Sequence, residues 1–220
     1  MTFGPRGTVY WPRIINAVST TPSPASRPWA LAVLLLTTGA VGWWGAMALI
    51  TERIAKLLDP THVIACDVNP LVSCGTVMTT WQASLLGFPN PLLGVAGFVA
   101  PMAVGLALLA GARFARWFWI ALLAGITGAW LFCHWLAVQA VYDIGVLCLY
   151  CMVVWAAVIP LFWGLVLWML ARGLLSRPGG RAQMLGVALL PFAWLPALAN
   201  ICVIVAAILL AFPTLLTSLL

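Results

Sequence analysis

Charge is what this chain has least of. Lysine and arginine together number ten and aspartate and glutamate only four among 220 residues, so 6% of the sequence is charged. That is too little polar surface to cover a water-soluble globule. With 65% hydrophobic residues and a mean hydropathy of +1.13, the chain reads as an integral membrane protein. The ten-residue alternation of a lipid-facing barrel is also missing, and lipid offers no partner to an open strand, so the spanning segments must be helices. The net charge of +6 comes with no recognisable binding motif and with scattered arginines, which leaves no nucleic-acid signature.

What the sequence does hold is apolar runs. Crossing a hydrocarbon layer of about 30 Å takes about 20 helical residues. Five charge-free runs qualify, roughly 29–50, 91–112, 117–139, 146–171 and 184–212. Ala46-Met47-Ala48 looks like a cleavage site, but the run 29–50 behind residues 1–28 is too long for a signal peptide, so it counts as a span. Basic residues stay on the cytoplasmic side of span ends. Arg6, Arg13 and Arg27 precede the first span, Arg113 and Arg116 separate the second and third, and Arg172, Arg177 and Arg181 separate the fourth and fifth. Arg53 and Lys56 lie in the first opposite-side loop, and Glu52, Asp59, Asp67 and Asp143 all fall in the two opposite-side loops. The N-terminus is therefore expected inside and the C-terminus outside.

This topology puts Cys66 and Cys74 in the first outer segment and Cys148 and Cys151 at the outer end of the fourth span, on the side where disulfides form. Cys133 and Cys202 sit inside spans and read as small apolar filling. Cys148-Leu149-Tyr150-Cys151 opens a helix, so its sulfurs share one face near free amide hydrogens that favour a thiolate. Such a pair opens and closes readily, although the same spacing serves a structural disulfide or half of a metal site. Met152 stands where covalent haem attachment requires His.

The stretch CDVNPLVSCGTVMTTWQASLLGFPNP, residues 66–91, carries no charge after Asp67. From Ser73 onward it predicts a capped half-helix, with Val77, Met78, Trp81 and Leu85 on one side, ending at Gly87. Lying in the interface, that half-helix would close the outer mouth and hold Cys66 and Cys74 above Cys148. An ordinary interfacial helix with a structural disulfide is the other reading. Thirteen tryptophans read mainly as an interfacial belt and packing. His134 is expected to make a polar contact with a neighbouring helix, and His62 carries no signal.

Taken in order, Cys66-Asp67-Val68, Cys74, Thr80-Trp81, Asn90, Tyr142-Asp143 and Cys148-x-x-Cys151 resemble the vitamin K epoxide reductase family over most of residues 29–172. The resemblance implies an all-α four-helix bundle around a quinone, lidded by the half-helix, with a fifth transmembrane helix added here. It divides the chain into a cytoplasmic segment 1–28, a catalytic bundle 29–172 containing the outer loop 51–90, and a cytoplasmic loop with the fifth helix, 173–220. It implies that Cys148 and Cys151 form the active pair, with Cys151 facing the quinone, and that Cys66 and Cys74 form a shuttle pair. Asn90 is then a hydrogen-bond donor to the quinone oxygen and Thr80 an assisting hydroxyl, while Asp67 and Asp143 match acids of the outer face.

The activity so implied is a relay that reoxidises an extracytoplasmic thioredoxin-fold, DsbA-like protein and passes two electrons to a membrane quinone of the menaquinone or vitamin K type rather than ubiquinone. No metal is called for. The location implied is a bacterial cell membrane, and with the chain ending at Leu220 the thiol partner is expected to be a separate protein. Trp155 stands where the vertebrate enzymes carry Tyr, which sets epoxide reduction and anticoagulant sensitivity apart. A four-cysteine structural metal protein and a transporter with incidental disulfides are the rival classes, and a quinone-linked enzyme of the DsbB type fits the half-helix less well.

Overall fold

The computed structural model describes residues 29–176 and 179–213. The expected segment 1–28 with Arg6, Arg13 and Arg27, and also Arg177, lie outside the described residues. Five helices are long and apolar enough to cross a membrane, as the hydropathy runs predict.

The first, α1 (Trp29–Leu58), runs two turns past the expected end at residue 50. Residues 51–58, Thr-Glu-Arg-Ile-Ala-Lys-Leu-Leu, are mostly good helix formers, and the stop comes only at Pro60, which disfavours helix at Asp59. Arg53 and Lys56 therefore belong to the helix and not to a loop. In the turn that follows, the Thr61 hydroxyl and amide donate to Asp59 Oδ1 at 2.6 and 2.8 Å and hold that carboxyl below its usual range.

The expected half-helix is shorter and broken. Ser73 caps α2 (Cys74–Met78), its Oγ accepting from the Thr76 amide at 3.1 Å. The Thr79 and Thr80 hydroxyls then turn back to the Thr76 and Val77 carbonyls, both at 2.8 Å, and the chain resumes as a 3₁₀ turn, Trp81–Ser84. The break rotates Trp81 and Leu85 outward, so only Met78 of the predicted stripe is fully buried and Val77 is half-buried.

Three further spans follow: α3 (Pro91–Leu109), α4 (Arg116–Gln139) and α5 (Leu149–Ala171). A π-helical turn, Ala140–Ile144, extends α4 and ends at Gly145, whose φ of +70° suits glycine. The fifth span, expected as one helix over 184–212, is instead α6 (Arg181–Leu189), a 3₁₀ turn at Leu190–Phe192 and α7 (Trp194–Ala211). Pro191 lacks an amide hydrogen and clashes with the preceding turn, which separates the two helices.

Lipid removes most of the hydrophobic drive between helices, so close packing and hydrogen bonds set the arrangement. α5 is the hub: α1, α4, α6 and α7 all pack on it, and its Leu165 and Met169 are fully buried. α1 and α3 approach closely, since a Cβ on Gly105 would stand 3.0 Å from the Ala32 carbonyl oxygen. α7 is fastened by polar groups. Asn200 Oδ1 accepts from Trp130 Nε1 at 3.0 Å and Trp163 Nε1 at 3.3 Å, and its Nδ2 lies 2.8 Å from His134 Nε2. The carbonyl of Trp130 takes the His134 Nδ1 proton at 2.7 Å, which leaves Nε2 as the acceptor for Asn200. The expected interhelical contact of His134 is thus present, with Asn200 as its partner. By contrast, α3 and α4 scarcely touch among the described residues, and a cavity opens between them.

Candidate redox site

Two backbone hydrogen bonds determine where the loop cysteines lie. The Ser73 amide donates to the Leu147 carbonyl at 2.9 Å, and the Leu147 amide donates to the Leu71 carbonyl at 2.8 Å. This short ladder lays the segment before Cys74 alongside the residue before Cys148. Asp67 completes the placement, its Oδ1 accepting from Ser73 Oγ and from the Gly75 amide, each at 2.9 Å. Gly75 leaves room there, since a Cβ would come within 2.7 Å of Asp67 Oδ2 and push on that carboxylate.

The result brings the sulfurs together. Cys66 and Cys74 are joined as a disulfide, with Cα atoms 5.7 Å apart, and Cys74 Sγ lies 3.3 Å from Cys148 Sγ. Cys148 caps α5, its sulfur accepting from the Cys151 amide at 3.3 Å, and Cys148 and Cys151 are free thiols. Cys66, Cys74 and Cys148 are 1%, 0% and 2% exposed, enclosed with Leu49, Ile64 and Met78 in a small apolar cluster of their own. The Cys66 to Cys74 bond also occupies two of the four sulfurs that a tetrathiolate metal site would need.

Below the sulfurs lies a cavity of about 650 Å³ whose walls include Cys148, Cys151, Cys133, Trp155 and Asn90. Asn90 Nδ2 donates to the Gln82 carbonyl at 2.6 Å, while its Oδ1 is buried without a partner. One Nδ2 hydrogen and this orphaned oxygen are therefore available to a ligand. A largely apolar chamber of this size, with Asn90, Gln82 and Arg53 as its polar side chains besides the cysteines, fits a quinone headgroup, whose polar atoms are confined to its ring oxygens. Thr80 is placed differently: its hydroxyl is bound to Val77 and it does not line the cavity. Cys202 is exposed on α7, and Cys133 belongs to the cavity wall.

Sequence reasoning missed Gln82. It is 3% exposed, its carbonyl holds Asn90, and its Nε2 donates to Asp143 Oδ2, tying the 3₁₀ turn to the end of α4. A lone glutamine within the apolar run Trp81–Phe88 was the available signal. Arg53 was missed as well. It reaches the same turn from α1, donating to Ser84 Oγ at 3.3 Å.

Adjoining cysteine pairs in a lipid-embedded bundle, one pair opening onto an apolar chamber, define a membrane protein of thiol and disulfide redox chemistry. The family model of the vitamin K epoxide reductase family matches residues 33–166, and the chain belongs to that family. Its members are oxidoreductases that work with a quinone and a thioredoxin-like partner. No curated protein matches the chain.

Proposed function

We propose that the protein reoxidises a separate thioredoxin-fold, DsbA-like protein on the extracytoplasmic face of a bacterial cell membrane and delivers two electrons to a membrane quinone, supporting disulfide formation. The observation that carries this reading is the 3.3 Å approach of Cys74 Sγ to Cys148 Sγ. Because Cys74 faces the helix pair, Cys66 is the sulfur that receives the partner's thiolate, and Cys74 leaves. The Cys74 thiolate attacks Cys148 of the closed helix pair and releases Cys151. The partner's second thiol then displaces Cys66, which recloses on Cys74 and frees Cys148. In sum, two partner thiols become a disulfide, and Cys148 and Cys151 hold two electrons and two protons. The joined loop pair and open helix pair correspond to this stage. A bound quinone supplies the two-electron, two-proton acceptor that lets Cys148 and Cys151 rejoin.

Asn90 would orient the ring through its amide. Gly97, Gly125 and Gly128 line the gap between α3 and α4, with no atom within 4 Å of where a Cβ would sit. That slot suits a polyprenyl tail running out to lipid. The apolar walls favour a menaquinone-type ring over ubiquinone, whose methoxy oxygens would find few partners. Sidedness rests on charge: Arg113, Arg116, Arg172 and Arg181 lie at the end away from the cysteine pairs, with all four carboxylates at the cysteine end.

The test is to mix purified protein, a reduced thioredoxin-fold oxidase and a quinone, and to follow ultraviolet absorbance. Cys148→Ala or Cys151→Ala is expected to stop quinone reduction, and an unchanged rate in either variant overturns the relay. Asn90→Ala is expected to weaken quinone use while exchange between the two cysteine pairs continues; equal loss of both would assign Asn90 a structural role.

A further inference from the structure

The four acidic side chains of the sequence, Glu52, Asp59, Asp67 and Asp143, all belong to the cysteine end of the bundle. The arginines at the opposite end therefore have no side-chain carboxylate to pair with anywhere in this chain. Two of them are nevertheless held in place. Arg116, the first residue of α4, donates its Nε to the Leu174 carbonyl, just past the end of α5, at 2.8 Å. Arg172, which caps α5, carries its guanidinium over the Trp168 ring, 5.4 Å from the centroid. Arg113 and Arg181, at the same end, make no such side-chain contact among the described residues.

Both anchored groups flank one seam. Trp119, one turn along α4 from Arg116, meets Trp168, one turn before Arg172, with ring centroids 4.7 Å apart. The helices are thus closed against each other at the level of those rings, and the two guanidiniums stand at the mouth of the seam. A guanidinium has five N–H donors, and Leu174 engages one from Arg116. Arg172 makes no side-chain hydrogen bond among the described residues. Pinned by a carbonyl and by a ring, the two like charges are not free to swing apart, and an anion held by both relieves their repulsion. The surroundings are those of a membrane interface. Trp117 is exposed beside Arg116, and Ile120, at i+4 on the Arg116 face of α4, is exposed as well.

We propose that Arg116 and Arg172 form a headgroup site for an anionic phospholipid of the phosphatidylglycerol type. Its phosphate bridges the two guanidiniums, whose planar forks match phosphate oxygens two at a time, and an acyl chain follows the exposed apolar strip that starts at Ile120. Phosphatidylcholine fits less well, since its choline would add a third positive charge to the pair. The bound lipid braces the start of α4 against the end of α5. This site uses neither the sulfur relay nor the quinone cavity and stands apart from both.

The full chain in neutral detergent is titrated with phosphatidylglycerol and with phosphatidylcholine of the same acyl chains, and bound lipid is counted by native mass spectrometry. Phosphatidylglycerol is expected to be retained more tightly. Arg116→Gln and Arg172→Gln should each weaken that retention about fivefold, the scale of one basic side chain at an anionic surface. Arg113→Gln and Arg181→Gln remove the same charge from the same end and should leave it unchanged. Arg116→Lys, which keeps the charge but loses the fork, should retain part of the preference. Glycerol 3-phosphate in large excess should not displace the lipid. Equal retention of the two lipids by the unaltered protein overturns the proposal. Equal weakening in all four glutamine variants also overturns it, because the attraction would then follow total charge and not a site. Displacement by glycerol 3-phosphate overturns the lipid assignment and makes the pair a site for free phosphate. If Arg116→Gln fails to fold for want of its bond to Leu174, Arg172→Gln, which breaks no hydrogen bond among the described residues, decides the outcome.

Discussion

A carboxylate at the start of a five-residue helix keeps the loop sulfurs in register with α5. Asp67 Oδ1 receives both Ser73 Oγ and the Gly75 amide, and charged hydrogen bonds of this kind contribute about 1.5–3 kcal/mol each. Asp67→Ala is therefore expected to slow formation of the mixed disulfide between Cys74 and Cys148, as measured by trapping with an alkylating agent. Asp67→Asn, which keeps Oδ1 as an acceptor, should lose less. Gly75→Ala pushes on the same carboxylate and should resemble Asp67→Ala; exchange at an unchanged rate would show that the carboxylate does not set the sulfur register. At this scale the sequence was informative about the sulfurs, because their spacing is a pattern, while Asn90 was marked only by the resemblance to the family. The sequence said little of Gln82 or Arg53, whose placement depends on a turn meeting helices from far along the chain.

Among the elements, the helix breaks were hidden while the spans were legible. Hydropathy averaged over about 20 residues finds an apolar run but passes over Pro191, and it gives no hint that the Thr79 and Thr80 hydroxyls redirect the half-helix. Asn200 was overlooked for a similar reason, as one amide inside a charge-free run. Its bonds to Trp130, Trp163 and His134 clamp α7 to the bundle. Asn200→Leu is expected to lower stability by about 1 kcal/mol, in line with polar contacts between membrane helices. The readout is thermal unfolding in detergent, with the redox assay retained because the network lies outside the cavity wall. A variant as stable as the parent would mean that α7 is held by packing alone.

For the molecule as a whole, the unequal contacts among the helices matter most. α1 packs closely on both α3 and α5, whereas the flank between α3 and α4 is open and lined by glycine. In the proposed reaction that flank admits the quinone tail. Gly128→Leu is then expected to depress reduction of a long-tailed menaquinone while sparing a tail-less naphthoquinone, measured in the same absorbance assay. Equal depression of both would place the obstruction at the ring and not along the tail. The five spans were readable from composition and the bundle from the resemblance to the family, but the opening was not, since it arises from two helices failing to meet.

The burial of Cys66, Cys74 and Cys148 has a consequence for electrical leakage. A disulfide within reach of any dissolved thiol would short-circuit, draining electrons from the surroundings into the membrane pool without forming a useful bond in a client. In the proposed relay, burial with Leu49, Ile64 and Met78 shields the pair from small dissolved thiols. The insulation comes from shape, and the choice of electron donor is made before any difference in potential is felt.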